Sequence, residues 1–130
     1  MKPLLVDSSA WIQTFSKQPD TKLSQAILKA QKNRLLATCG IIYLEVVRGA
    51  RHTEEWKQLR EEFQAMHWLT IEETHWDMAC QMGFQLRQKG LTPPATDLLI
   101  AAVCIESRCQ LLHQDKHFVQ IAQYFPLRLV

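Results

Sequence analysis

The sequence has no internal repeat, no low-complexity tract and no Gly/Ser linker along its 130 residues, so nothing in it marks a domain boundary. That length suits one compact domain, residues 1–130, and leaves no room for a second core. Long apolar runs are also missing. The longest, Leu98 to Ile105, falls far short of the roughly 18 residues that cross a bilayer, so no membrane role is expected. Near the N-terminus, Leu4-Leu5-Val6 is stopped by Asp7, whereas a secretory signal needs an apolar stretch of about 7–15 residues. Cysteine is scarce, and Cys39, Cys80, Cys104 and Cys109 show no paired spacing. This excludes a disulfide scaffold and points to small, mostly buried hydrophobes in a reducing compartment; the cytoplasm is the expected location. Neither sign of charge dominates: 15 Lys and Arg against 13 Asp and Glu leave a net +2. A protein held to nucleic acid by phosphate contacts alone would be more basic, yet this balance permits an anionic partner. What is present is ordinary. Hydrophobic residues at 47% and charged residues at 22% match soluble globular averages and exclude a disordered tail or a fibre.

The pattern along the chain alternates short apolar runs with helical stripes. Leu4-Leu5-Val6 reads as a strand, followed by the cap-forming cluster Asp7-Ser8-Ser9 and then Trp11, Ile12 and Phe15 at helical spacing. Leu23, Ala26, Ile27 and Ala30 form a second helical stripe, Arg34 to Thr38 a second strand, and Ile41 to Val47 a third helix ending near Gly49. Trp56, Leu59, Phe63 and Met66 mark one face of a fourth helix, and Trp68 to Ile71 reads as a strand. Thr74-His75-Trp76-Asp77 matches a capping box that opens a fifth helix running to Gly90. After the break at Pro93-Pro94, Asp97 to Val103 is a helix apolar nearly all round, hence buried. Leu111-Leu112 predicts a strand, Phe118 to Tyr124 a helix, and Pro126 to Val130 an edge strand. Short apolar strands alternating with helices predict an α/β fold with a parallel sheet covered on both faces. Such sheets bind ligands beyond the carboxyl ends of their strands, which is where Asp7 and Asp115 fall.

Two more acids stand where a simple core would not put them. Glu45 is embedded in Ile41-Ile42-Tyr43-Leu44-Glu45-Val46-Val47, and Asp97 opens the most hydrophobic helix. A carboxylate beside buried surface must be solvated, protonated or paired. Like charges about 4 Å apart repel by roughly 4 kcal/mol at an effective dielectric near 20, so four acids converge only around a cation. Hard divalent ions such as Mg²⁺ and Mn²⁺ prefer such oxygen-rich surroundings. Taken singly, each acid also has a local explanation: Asp7 and Asp115 as helix caps, Asp97 at the positive end of its helix, Glu45 at a helix margin.

Four stretches carry a resemblance: Val6-Asp7-Ser8-Ser9-Ala10-Trp11-Ile12, Leu44-Glu45-Val46-Val47-Arg48-Gly49, Thr96-Asp97-Leu98-Leu99-Ile100-Ala101-Ala102 and Leu111-Leu112-His113-Gln114-Asp115-Lys116-His117-Phe118. In order and spacing they resemble a PIN domain, and more narrowly a VapC-type toxin of a bacterial type II toxin–antitoxin pair, over essentially the whole chain. The resemblance implies a three-layer fold with a short, mostly parallel central sheet flanked by helices. It implies that Asp7, Glu45, Asp97 and Asp115 hold Mg²⁺ or Mn²⁺ and carry a metal-dependent endoribonuclease activity on structured RNA, transfer RNA included. It further implies homodimerisation and inhibition by a cognate antitoxin. Many relatives have an acid where this chain has His117 and a small hydroxyl residue where it has His113, departures that bear on a second metal position.

Around the acids, Ser8, Arg48, Thr96, His113 and His117 are secondary candidates, for steadying the carboxylates or touching RNA phosphates. Cys104, Cys109, His113 and His117 do not have the spacing of a zinc finger, which separates its pairs by about 12 residues. The periodicity of Trp11, Trp56, Trp68 and Trp76 favours core or interface packing, and Trp11, Ile12 and Phe15 are candidates for an antitoxin groove. The competing reading is a dimeric acidic scaffold that binds a partner without chemistry.

Overall fold

A computed structural model describes residues 2–130. Its elements run β1 (Leu4–Val6), α1 (Ser8–Thr14), α2 (Thr21–Lys32), β2 (Leu36–Thr38), α3 (Gly40–Val47), α4 (Thr53–Gln64), β3 (His67–Trp68), α5 (Glu73–Gln88), α6 (Ala95–Glu106), β4 (Gln110–Leu112), α7 (Lys116–Tyr124) and β5 (Arg128–Leu129). The strands form one sheet in the order β3-β2-β1-β4-β5, and every pairing is parallel. Parallel neighbours need crossover connections, and the intervening helices supply them. Because β1 and β4 are buried between layers, they carry apolar residues on both faces: Leu5, Val6 and Leu111 are sealed from solvent.

The strand order fixes where a site can form. From β1 the chain moves outward to β2 and β3, then crosses back to place β4 on the other side of β1. That reversal makes β1 and β4 the switch point, where connections of one hand leave on opposite faces and open a crevice at the strands' carboxyl ends. The helices fall into two packed groups accordingly: α1 with α2 and α3, and α3 with α4; α6 with both α5 and α7. Phe63 of α4 and Phe118 of α7 are fully buried, Phe63 against the rings of Trp11 and Tyr43. The α5–α6 contact is close enough that a Cβ on Gly83 would lie 2.9 Å from the Leu98 side chain.

Three expectations shift. The strand predicted at Trp68–Ile71 is the shorter pair His67–Trp68, because only these residues meet Ala37 and Thr38 of β2 in register. The capping box of α5 is built by Glu72, whose side chain takes the backbone N–H of His75, while His75 Nδ1 accepts from the Glu72 N–H at 2.8 Å; Thr74 and Asp77 lie inside the helix. Of the four tryptophans, only Trp11 is buried, whereas Trp56, Trp68 and Trp76 are exposed.

Candidate active site

Three acids are placed by helix N-termini that open at the same end of the sheet. Asp7 follows β1, and its backbone N–H donates to the Leu112 carbonyl of β4 at 2.9 Å, which sets it at the switch point. It caps α1: its Oδ2 accepts from the Ser9 N–H at 3.0 Å and from the Ser9 hydroxyl. Asp115 caps α7, and its Oδ1 accepts from the His117 N–H at 2.9 Å. Asp97 lies in the first turn of α6, buried by the apolar helix around it. Negative charge at a helix start is favoured by the unpaired N–H groups there, so local sequence and site agree. Glu45 comes from α3, half-buried, and accepts from the Ser8 hydroxyl at 3.3 Å.

The centre of the cluster is tight. One ligating atom from each of Asp97, Asp115 and His117 lies within 4.8 Å of the others. His117 Nδ1 is 2.8 Å from Asp115 Oδ1 and 3.7 Å from Asp97 Oδ2. Asp97 Oδ2 is buried without a hydrogen-bond partner. Burial, then the facing Asp115 and the charges of Asp7 and Glu45, push the Asp97 carboxyl up to about 8. Burial and the Asp7 charge likewise raise Glu45, against the Ser8 hydrogen bond and the Arg48 charge. For Asp115, burial works upward but is outweighed by Asp97 and by the hydrogen bonds from His117, so its carboxyl sits below the ordinary value. Burial lowers His113, whose Nδ1 accepts from the Asp115 N–H at 3.0 Å and whose ring stands edge-on to Phe118.

These shifts describe an unbalanced negative charge, because four carboxylates repel one another through partly buried surroundings. A divalent cation fits. The partnerless Asp97 oxygen would gain the partner it lacks, and the donor set is two carboxylates, suited to Mg²⁺ or Mn²⁺, with an imidazole, suited to a first-row ion. Asp7 and Glu45 lie beside this three-residue group, near enough to act on Asp97 by charge. Arg48 ends α3 and is exposed, and Thr96 is exposed beside Asp97. Sequence reasoning passed over Ser9. Its hydroxyl bonds Asp7 Oδ2 and accepts the Gln114 N–H at 3.0 Å, tying the α1 cap to the loop before α7. A hydroxyl two residues after a capping Asp was the available signal.

The PIN-domain family model matches residues 4–124, from the first strand to the end of α7, and takes in all four acids. The chain belongs to the PIN-domain family. Among solved structures, its fold is similar to that of VapBC2 from Rickettsia felis bound to a DNA fragment from its promoter, at 20% identity and TM-score 0.76 over 98% of this chain and 96% of that one. VapBC-5 from Mycobacterium tuberculosis, a member of the VapBC family of toxin–antitoxin systems, matches at 19% identity and TM-score 0.66 over 100% and 98%. VapC20 of the same organism, a toxin that cleaves the sarcin–ricin loop, matches at 15% and 0.66 over 94% and 95%. No match was found among curated proteins. In PIN-domain terms, the acids occupy the crevice at the switch point, and no described helix is long and apolar enough to cross a membrane.

Proposed function

We propose that this PIN domain is a divalent-metal-dependent endoribonuclease, the toxin of a toxin–antitoxin pair, cutting structured RNA such as transfer RNA and neutralised by a cognate antitoxin. The observation that carries the reading is the buried, partnerless Asp97 oxygen facing Asp115 at the switch point, inside a ring of acids. Asp7, Asp97 and Asp115 would hold Mg²⁺ or Mn²⁺, with Glu45 completing the set or orienting the attacking water. The bound ion supplies activation of water and offsets charge on the leaving oxygen of a phosphodiester. The chain's own part is positioning. Ser9 holds the Asp7 carboxylate from two sides, and Ser8 holds Glu45. Arg48 offers positive charge near Glu45 for an RNA phosphate.

A partner surface lies elsewhere. A groove of about 770 Å³ runs between α2 and α4, with Trp11, Ile27, Leu36 and Met66 along it and Arg34, Glu61 and Glu62 at its rim. Phe15, exposed and stacked on Trp11, continues it along α1. An apolar groove with charged edges suits an amphipathic antitoxin segment. On α5, exposed Trp76 and Phe84 with Cys80 between them form a stripe that a homodimer would cover.

The test is cleavage of a mixed transfer and ribosomal RNA pool by purified, antitoxin-free protein, with Mg²⁺ or Mn²⁺, with EDTA, and with Asp97→Asn in parallel. Discrete cuts that need both the metal and Asp97 are expected. Folded, metal-loaded protein that cuts neither RNA would favour the scaffold reading instead.

A further inference from the structure

We propose that His117 is itself a metal ligand, through Nδ1, and that this nitrogen makes the site prefer Mn²⁺ to Mg²⁺; the proposal rests on the metal-dependent reading above. Neighbouring ligands on an octahedral ion with bonds of about 2.1 Å stand about 3.0 Å apart. His117 Nδ1 stands 2.8 Å from Asp115 Oδ1, to which it now hydrogen-bonds, and 3.7 Å from Asp97 Oδ2, and one ligating atom of each residue lies within 4.8 Å of the others; with the imidazole proton on Nε2, the Nδ1 lone pair would be free for the shared ion. Their placement is not left to flexible side chains. Asp115 and His117 are fixed by the capped first turn of α7, and Asp97 is buried in the first turn of α6. The buried, partnerless Oδ2 of Asp97 aims at the same point.

Selectivity follows from the donor set. Mg²⁺ binds oxygen and sheds water reluctantly, whereas an imidazole nitrogen suits first-row transition ions. Mn²⁺ accepts both donor types, so a nitrogen here favours it over Mg²⁺. His113 is the other nearby imidazole, but its Nδ1 accepts from the Asp115 backbone and its ring packs on Phe118, which turns it to a supporting task.

The experiment uses the full metal-free chain titrated with Mn²⁺ and followed by electron paramagnetic resonance. Spin-echo modulation reads a coordinated nitrogen directly, and competition with Mg²⁺ gives the ratio of affinities. Wild-type protein should show nitrogen coupling that moves to the ¹⁵N frequency when histidine is ¹⁵N-labelled. His117→Asp should lose the coupling and lower the Mn²⁺ preference by about tenfold, the lower end of what altering a metal's surroundings costs. His113→Asn should keep the coupling, and circular dichroism checks that each variant is folded. Mn²⁺ bound without nitrogen coupling, or coupling lost only in His113→Asn, overturns the assignment to His117 and leaves the metal-dependent reading standing. Wild-type protein that binds no Mn²⁺ overturns both.

Discussion

Two ends of this molecule each bury a polar atom without a partner, and they differ in what that costs. Asp97 Oδ2 lies at the carboxyl end of the sheet among carboxylates, whereas Trp11 Nε1 belongs to a ring that lines the groove beside α4, its centroid 5.3 Å from that of Phe63 and 6.4 Å from that of Phe15. An unpaired neutral N–H costs about 1–3 kcal/mol, which a large buried ring can outweigh. An unpaired carboxylate oxygen beside like charges costs more, so the group gives up its charge or gains a cation. The groove beside α4 and the acid cluster are therefore separate features of the molecule.

The largest effect expected at either end is on the packed one. Trp11→Ala removes a ring that touches Phe63 and Phe15, and should destabilise the fold by about 3–5 kcal/mol in chemical denaturation. Trp11→Phe should cost clearly less, since it removes the unpaired indole N–H along with the volume. Equal losses would mean that the N–H finds a partner and that the comparison between the two ends fails.

At the acid end the effect should fall on activity and run the other way in stability. Asp97→Asn should lower metal-dependent RNA cleavage by about 10²-fold. In the metal-free wild type, the Asp97 carboxyl is held at about 8 when folded, above the ordinary 3.8. Between those values the folded state keeps a proton that the unfolded state has released, so stability falls as pH rises from about 4 to about 8. Asp115, lowered, adds stability that is lost only on acidification below its ordinary value. Asp97→Asn should flatten the fall between pH 5 and 8, and saturating divalent metal should reverse it in the wild type. Denaturation curves with and without metal check both.

Much of this was readable in the chain because the strands are short and sealed and the acids stand at element ends. The apolar belt of α6 and the runs at Leu4–Val6 and Leu111–Leu112 signal burial by composition alone. The shift to His67–Trp68 was not readable, since register with β2 is a tertiary fact. The same holds for α5, where the Ser/Thr-to-acid pattern at Thr74 and Asp77 outranks a box made by Glu72 and an imidazole. At the site, Asp7, Glu45, Asp97 and Asp115 were visible as charges in apolar contexts. In the sequence His117 reads only as a secondary candidate, because a helix cap brings residues two apart to one side while periodicity separates them. Ser9 was hidden by its ordinary role as a residue of a helix start. For Trp56, Trp68 and Trp76 the spacing leaves core and interface packing open, and their exposure in the structure removes the first of these.

The smallest expected effect separates the two ends most cleanly. The helices α2, α5 and α6 all finish with a left-handed residue, and at each the next N–H closes back five residues: Leu35 to Ala30, Leu91 to Leu86, and Cys109 to Cys104. That ending favours glycine, which α5 has at Gly90, whereas α2 and α6 use Arg34 and Arg108, both at φ 56°. A side chain in this conformation costs roughly 1–2 kcal/mol, part of which glycine gives back through its freer unfolded chain. Arg34→Gly should therefore stabilise the fold by about 0.5–1 kcal/mol. Its carbonyl keeps the 2.8 Å contact with His67 Nε2, because that bond is to the backbone. Arg34 lies on the groove rim and far from the acids in the fold, so RNA cleavage should be unchanged while the charge facing an antitoxin is lost. A stabilised protein with weaker inhibition by its antitoxin would place the arginine there for binding at the expense of stability. A destabilised one would mean that the Arg34 side chain packs against α4 strongly enough to outweigh its backbone strain.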